Sequence, residues 1–364
     1  MYADYENCLV NLACSVLKEF GTPYSHPTLP QMDRLLQGHY RNVVVLLLDG
    51  MGVDAINHHL EPDGFFSRHL LCGYSSVFPP TTTSATLSMM TGLTPCEHGW
   101  LGWKQYFSEL DRIVIPFRNT DFYTGEKAAD FDAAQRYMPY RSIFDRINET
   151  GSGKAYYVSM FGTTHIDTFD QLTHTVIDLC TRDEKKFVYA YWHQPDTLMH
   201  QNGCYDASIT QELQHLENEV EKMAGNLSDT LLVVTADHGH KNLSYDTLTD
   251  YPHLVKMLKR PTSIESRASV FYVRDEYLNE FPTAFRKTFG DDFILFSKED
   301  VKREKLFGNG APHAKFDEFI GDYLAVSVSD KGIVYSDSVI KFKSDHAGMT
   351  EQEMIIPLIA YSSR

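Results

Sequence analysis

The sequence predicts an α/β fold, with a mostly parallel central sheet, helices on both faces, and a small α+β cap as an insertion. Three observations lead there. Residues 43–48 are six consecutive apolar residues, half of them β-branched, and residues 231–234 repeat the pattern, as strands buried on both faces of a parallel sheet do. Stretches of helical period, at 9–17, 133–147 and 209–224, alternate with such runs. Three candidate strands each deliver an aspartate at the carboxyl end, Asp49, Asp196 and Asp237, where open α/β sheets form their ligand crevice.

At 364 residues the chain exceeds the usual size of one domain, and its 43% hydrophobic content supports a full core. Residues 1–252 and 319–364 are expected to form the core, with 253–318 as the inserted cap. A formal charge of −16, from 33 basic and 49 acidic residues, argues against a nucleic-acid polymer as partner, which needs a basic surface. A small anionic substrate stays compatible if the site itself supplies positive charge. Cysteines at 8, 14, 72, 96, 180 and 204 show neither zinc-ribbon pairing nor a dense disulfide pattern, and read as ordinary reduced thiols. The first twenty residues carry acidic groups where a signal peptide carries basic ones, and no apolar run is long enough to span a bilayer. The expectation is a cytoplasmic protein with no membrane partner.

In chain order, the strand of residues 42–48 ends on Asp49. The Gly50-Met-Gly52 that follows lacks the third glycine of a dinucleotide fingerprint, and that reading is set aside. Residues 75–78 are β-prone and are stopped by Pro79 and Pro80. Thr81, Thr82 and Thr83 then precede a helical pattern through Leu87, Met89 and Met90. Unpartnered N–H groups and the macrodipole at that helix start favour an anion. An N-cap is the plainer explanation, but a cap uses one hydroxyl. The turn-rich aromatic segment 97–103, with His98 and Trp100, is expected to pack rather than to line a pocket.

Residues 186–192 read as an aromatic and β-branched strand, broken at Pro195. Asp196 and His200 then stand four apart, on one face if the segment turns helical; the ordinary alternative is an Asp N-cap with a surface histidine. The strand of residues 230–235 leads into Asp237-His238-Gly239-His240. In the cap, residues 268–273 and 293–296 are strand-like and 277–289 helix-like. The core is expected to resume at 321–328, and His346 precedes a turn and the Thr350-x-x-Glu353 helix start.

Collected, Asp49, Thr82, Asp196, His200, Asp237, His238 and His346 supply three carboxylates and three imidazoles, enough for two mixed oxygen and nitrogen metal sites with an open position each. Zinc suits that set, ahead of manganese or iron. At this point the chain resembles the alkaline phosphatase superfamily, in its type I phosphodiesterase and nucleotide pyrophosphatase branch. The resemblance rests on Asp49-Gly50, Phe78-Pro-Pro-Thr-Thr with Thr91-Gly92-Leu93 and His98-Gly99, Pro195-Asp196-x-x-x-His200, Asp237-His238-Gly239, and His346 before a Glu-rich helix. Any one piece is weak, and five in order are strong.

The resemblance implies an alkaline phosphatase-like core and two divalent cations, zinc first and manganese second. One would be held by Asp196, His200 and His346, the other by Asp49, Asp237, His238 and Thr82. Thr82 would be the nucleophile, with Thr81 and Thr83 the neighbours that could be confused with it. Coordination lowers the pKa of a threonine hydroxyl enough to supply an alkoxide, and two metals about 4 Å apart stabilise the attacking and leaving oxygens of an in-line displacement. The implied activity is that of a phosphodiesterase or nucleotide pyrophosphatase acting on a small phosphoester through a phosphothreonine. Three aspartates, two divalent cations and the alkoxide sum to no net charge, which suits a singly charged diester better than a doubly charged monoester. The nearest basic residue after Thr82 is Lys104, with Arg260 and Arg267 further on. The branch carries an asparagine three residues past the threonine, and here that position is Ala85. The Thr83 N–H and the Thr86 hydroxyl are the candidate substrate-binding replacements.

The alternatives within the superfamily are a phosphonate (C–P) hydrolase and a phosphomonoesterase. Sulfatases are disfavoured because threonine replaces their cysteine or serine precursor. Cofactor-independent phosphoglycerate mutases use serine and a larger insertion, and rank lower. From another class, an inactive metal- or phosphate-binding protein would be expected to have lost a ligand, and none is missing.

Overall fold

The computed structural model describes residues 1–364. Its main sheet has seven strands: β1 (Asn42–Leu48), β2 (Leu70–Ser75), β3 (Lys154–Ser159), β4 (Thr164–His165), β5 (Lys186–Trp192), β6 (Thr230–Thr235) and β7 (Ile355–Ser362). They lie in the order β2-β7-β6-β1-β5-β3-β4. β1 pairs in parallel with β5 and β6, and β3 with β5 and β4. β7 runs antiparallel to both β2 and β6, so it alone is reversed. β1, β5 and β6 are buried at every position, which is why their apolar runs show no alternation.

Two groups of helices cover the faces. Leu9–Glu19, Thr82–Thr91 and Ile143–Thr150 pack together on one, and Val53–His59, Phe169–Thr181 and Ala207–Gly225 on the other. The amphipathic Ala207–Gly225 shows the logic: Ile209, Leu213, Leu216, Val220 and Met223 recur at helical spacing and are buried, while Asp206 caps the start by accepting from Ser208 N.

Beyond this core stand a pair of two-stranded sheets, Lys241–Asn242 antiparallel to Ser344–Asp345 and Ser244–Thr247 parallel to Lys331–Val334, and two larger antiparallel sheets. One has four strands in the order Ser263–Ile264, Ala268–Phe271, Tyr323–Ser327 and Phe293–Ser297. Tyr323–Ser327, expected to resume the core, instead lies between Ala268–Phe271 and Phe293–Ser297. A short apolar run does not reveal which sheet it joins. The other is a three-stranded meander, Gln105–Phe107, Arg112–Ile115 and Thr120–Asp121, which the sequence did not reveal. The two larger antiparallel sheets share a cluster of 27 buried apolar residues, distinct from the 61 around the main sheet, and that cluster also takes in Phe78 and Leu87 beside Thr82. A bridge between Lys104 and Ile264 joins the two sheets beside the helix of Thr82. All six cysteines are free thiols, and no helix is long and apolar enough to cross a membrane. His98 bonds Ser88 Oγ and the Trp100 N–H, and the Trp100 indole donates to Met138 O, so both residues pack as expected.

Candidate active site

The carboxyl ends of β1, β5 and β6 meet at one place. Asp49 N donates to Trp192 O at 2.9 Å and Asp196 N to Asp49 O at 3.0 Å, which ties the end of β1 to the turn after β5. Gly50 sits at φ +75°, and a Cβ there would stand 3.0 Å from Asp196 Cα and from the His240 ring. Gly239 is required by contact alone, since a Cβ would fall 2.0 Å from Gln352 O. These two glycines let three loops close around a common centre.

The three threonines divide cleanly. Thr81, the extended N-cap residue, turns its hydroxyl away to Glu265 Oε1 at 2.7 Å. Thr83 is fully buried and its hydroxyl has no partner. Thr82 is half-buried and faces the centre, with Oγ1 3.3 Å from His238 Nε2 and 3.5 Å from both Asp49 oxygens. The Thr86 hydroxyl donates to Thr82 O at 2.6 Å, so its proton is committed to the helix backbone, while Thr83 N lies in the first turn, where amides lack helical acceptors.

Around Thr82, Asp49 accepts from the Tyr191 hydroxyl. Asp237 Oδ1 accepts from Gly50 N at 3.1 Å and His238 N at 3.0 Å, whereas its Oδ2 is buried with no partner. His238 Nε2 lies 3.3 Å from Asp49 Oδ1 and 3.6 Å from Asp237 Oδ2. Beside this group, Asp196 Oδ1 has His200 Nε2 at 3.3 Å and His346 Nε2 at 3.8 Å. The structure therefore brings together all seven sequence-predicted residues. It adds His240, whose Nε2 is 2.7 Å from Asp196 Oδ1, and Asp345, which stands 3.9 Å from His200 Nδ1 and receives the Tyr245 and Ser266 hydroxyls. His240 was visible two residues past His238, but a histidine in a turn carries no periodic signal of its own.

Arg267 is not in the site, being paired with Glu353, and Arg260 stacks 3.7 Å over the Tyr106 ring. Lys104 is buried, with its ammonium 4.3 Å over the Phe122 ring. Burial lowers its pKa to about 8 against the opposing pull of Glu265 and Asp345. Burial and then Asp345 raise the Glu265 carboxyl to about 7.

A divalent cation fits these residues. A buried carboxylate oxygen without a partner is costly in itself, and Asp237 Oδ2 is one. His200, His346 and His238 each direct Nδ1 to a backbone carbonyl, of Ser344 at 2.8 Å, Pro80 at 3.1 Å and Gly239 at 3.0 Å. Only an Nδ1–H satisfies a carbonyl, so each Nε2 is turned toward the carboxylates, as metal-binding imidazoles are. Without a cation, protons take its place. Burial works to lower His238 and His200, but Asp237 and Asp196 respectively outweigh it and raise them to about 10 and about 9. Both are raised above the unfolded value of about 6.5. Their protons therefore stabilise the metal-free protein fully below that pH, and the contribution is lost as pH rises through about 9 to 10. Zinc binding at pH 7 is expected to expel at least these two imidazolium protons, read by calorimetry in buffers of different ionisation enthalpy; zero release would show the imidazoles already neutral.

The comparisons with known proteins give a family and a fold. The model of the type I phosphodiesterase / nucleotide pyrophosphatase family matches residues 43–338. Among solved structures, murine ectonucleotide pyrophosphatase / phosphodiesterase 5, as an inactive variant in complex with AMP, is 15% identical with a TM-score of 0.66, covering 88% of this chain and 87% of that one. The human protein of the same name gives 16% identity and a TM-score of 0.62 over the same shares. Phosphonoacetate hydrolase from Sinorhizobium meliloti, in complex with phosphonoacetate, gives 16% identity and a TM-score of 0.63, covering 88% of this chain and 90% of that one. No curated protein sequence matches the chain. With the family model spanning most of its length, and the strand-end carboxylates and imidazoles gathered at one centre, the chain belongs to the type I phosphodiesterase / nucleotide pyrophosphatase family of the alkaline phosphatase superfamily.

Proposed function

We propose that the protein is a two-metal phosphodiesterase or nucleotide pyrophosphatase that attacks phosphorus with the Thr82 hydroxyl. The observation that carries this reading is the place of Thr82 Oγ1, half-exposed at a helix N-terminus and 3.3–3.5 Å from His238 and Asp49. Asp49, Asp237, His238 and Thr82 would hold one divalent cation, and Asp196, His200 and His346 the other. When bound, such ions lower the pKa of the nucleophile and screen charge on the phosphoryl oxygens.

The remaining work falls to the chain's own groups. Tyr191 donates to Asp49 and fixes that carboxylate beside Thr82. The Thr83 N–H and the helix start offer a phosphoryl oxygen a donor and a favourable dipole. Thr82 Oγ gives up its proton to water and forms the new P–O bond, while the leaving oxygen departs with its bonding pair and takes a proton from water. A water molecule then cleaves the Thr82–phosphorus ester bond, returning the proton to Thr82 and releasing a phosphomonoester that keeps the second ester group. That a structural neighbour is a complex with AMP supports a phosphoester as the ligand class.

A second reading, a phosphonate hydrolase or phosphomonoesterase, is favoured by Lys104. It is a buried ammonium whose opposing charges, Glu265 and Asp345, flank the site, since Glu265 binds Thr81 and Asp345 precedes His346. Such a cation suits a substrate with a second negative charge. Hydrolysis of bis(p-nitrophenyl) phosphate, p-nitrophenyl phosphate and phosphonoacetate by zinc- and manganese-loaded protein separates the readings. The diester is expected to give a kcat/KM at least about tenfold higher, about 1.4 kcal/mol in the transition state. Preference for the monoester or the phosphonate would reverse the order, and turnover of none of the three would sink the enzyme reading.

A further inference from the structure

We propose that the Phe342 ring is the surface against which the substrate's leaving group packs, so that the site favours phosphodiesters whose leaving alcohol carries an aromatic or other apolar body. The inference deepens the phosphodiesterase reading and rests on it for the reaction, but its own support is where this ring stands. Phe342 is 38% exposed, and its ring lies 4.4 Å from the His200 ring at a tilt of 40°. From there the imidazoles run in a row back to the nucleophile. Ring centres of His200 and His346 are 5.3 Å apart, those of His346 and His238 3.7 Å, and His238 Nε2 is 3.3 Å from Thr82 Oγ1. Thr82 stands at one end of the row and Phe342 at the other.

In an in-line displacement the leaving oxygen departs on the side of phosphorus opposite the attacking oxygen. With Thr82 attacking from its end of the row, the leaving group is directed toward the other, where His200 and Phe342 stand. The side chains around the row, Asp49, Asp237, His238 and His346, are buried. Phe342 is open, and Ile340, 71% exposed, extends the apolar lip. Core packing does not account for Phe342: its ring belongs to none of the three clusters of apolar side chains that fill the interior, whereas Tyr335, earlier in the same segment, packs against one of them. An apolar ring left partly open to water gains free energy when a second apolar group covers it, and an aromatic body can stack on it. The ring is also held in place. Lys343 N donates to His200 O at 2.9 Å and Ser344 Oγ to Met199 O at 2.6 Å, which ties the backbone after Phe342 to the helix that carries His200. Before it, Lys341 Nζ bonds Asp337 Oδ1 and Thr247 Oγ1, each at 2.8 Å.

Two methyl phosphodiesters, one releasing p-nitrophenol and the other the compact trifluoroethanol, test this with zinc-loaded protein. Their intrinsic reactivities differ, but that difference cancels when wild type and variant are compared through the ratio of the two kcat/KM values. In Phe342→Ala the ratio of aryl to trifluoroethyl ester is expected to fall at least about tenfold, equal to about 1.4 kcal/mol. Phe342→Leu, which keeps an apolar wall, should hold the ratio within about threefold of wild type. An unchanged ratio in Phe342→Ala would overturn the proposal, whether both esters slow equally, as for a ring that only steadies His200, or neither does. A second readout needs no turnover: the affinity for p-nitrophenol itself, followed by NMR titration, should fall at least about fivefold in Phe342→Ala. If wild type hydrolyses neither ester, the phosphohydrolase reading falls and this titration decides whether the apolar wall stands, an unchanged affinity removing it too. If wild type hydrolyses both and the ratio does not move, the enzyme reading stands and Phe342 has no part in choosing the leaving group.

Discussion

Replacing Thr82 with alanine is expected to abolish turnover, by about 10⁴-fold or more, while leaving the fold intact. The size follows from the role: an alanine offers no oxygen to phosphorus, and no neighbour can substitute. Thr81 has its hydroxyl on Glu265, and the Thr83 hydroxyl is buried among the core side chains. The fold is expected to survive because the Thr82 hydroxyl makes only long contacts, 3.3–3.5 Å, and the helix after it is buried through Ala85, Leu87 and Met89 without help from that oxygen. Thr81→Ala and Thr83→Ala serve as controls and should keep at least a tenth of wild-type kcat. Steady-state hydrolysis of a diester, with trapping of labelled phosphothreonine in wild type, decides the matter. Undiminished activity in Thr82→Ala would move the attack to Thr81, Thr83 or a water molecule.

That such an experiment can be designed from the sequence reflects which features are local. The apolar runs of β1, β5 and β6 needed no tertiary information, because strands buried on both faces must be apolar throughout. The aspartates that follow them were legible for the same reason, since a charge ending such a run lies at the sheet's edge. Tyr323–Ser327 was misplaced because its five residues fit any sheet and only its partners, Ala268–Phe271 and Phe293–Ser297, decide which. The meander of residues 105–121 went unseen because its strands are two to four residues long, too short to show a period. His240 and Lys104 were in plain view, but their meaning lies in contacts with Asp196, Ser344 and Phe122 that only folding creates.

The largest structural effect is expected from Arg267→Ala, a loss of about 3–5 kcal/mol. Arg267 is fully buried and holds Glu353, also fully buried, through Nε at 2.6 Å and Nη2 at 2.8 Å. Two further donors reach Lys331 O and Ser329 O, so four of the five guanidinium N–H groups are paired. Glu353 in turn accepts from Gly348 N at 2.7 Å and from the Thr350 hydroxyl at 2.6 Å, closing the capping box anticipated from the sequence. The pair thus staples the small four-stranded sheet to the turn between His346 and β7. Truncating one partner leaves the other charge stranded in the interior, which is where the cost arises. Lysine would not substitute, because one ammonium cannot reproduce the two-pronged contact. The paired change Arg267→Met with Glu353→Leu removes both charges and should recover most of the loss. Urea unfolding of the three variants measures this. The same disruption reaches the site, because the turn carries His346: Arg267→Ala should weaken zinc binding as well as stability, while Thr82→Ala should spare stability. Less than about 1 kcal/mol lost in Arg267→Ala, a value typical of an exposed pair, would show that this contact does not hold the two parts together.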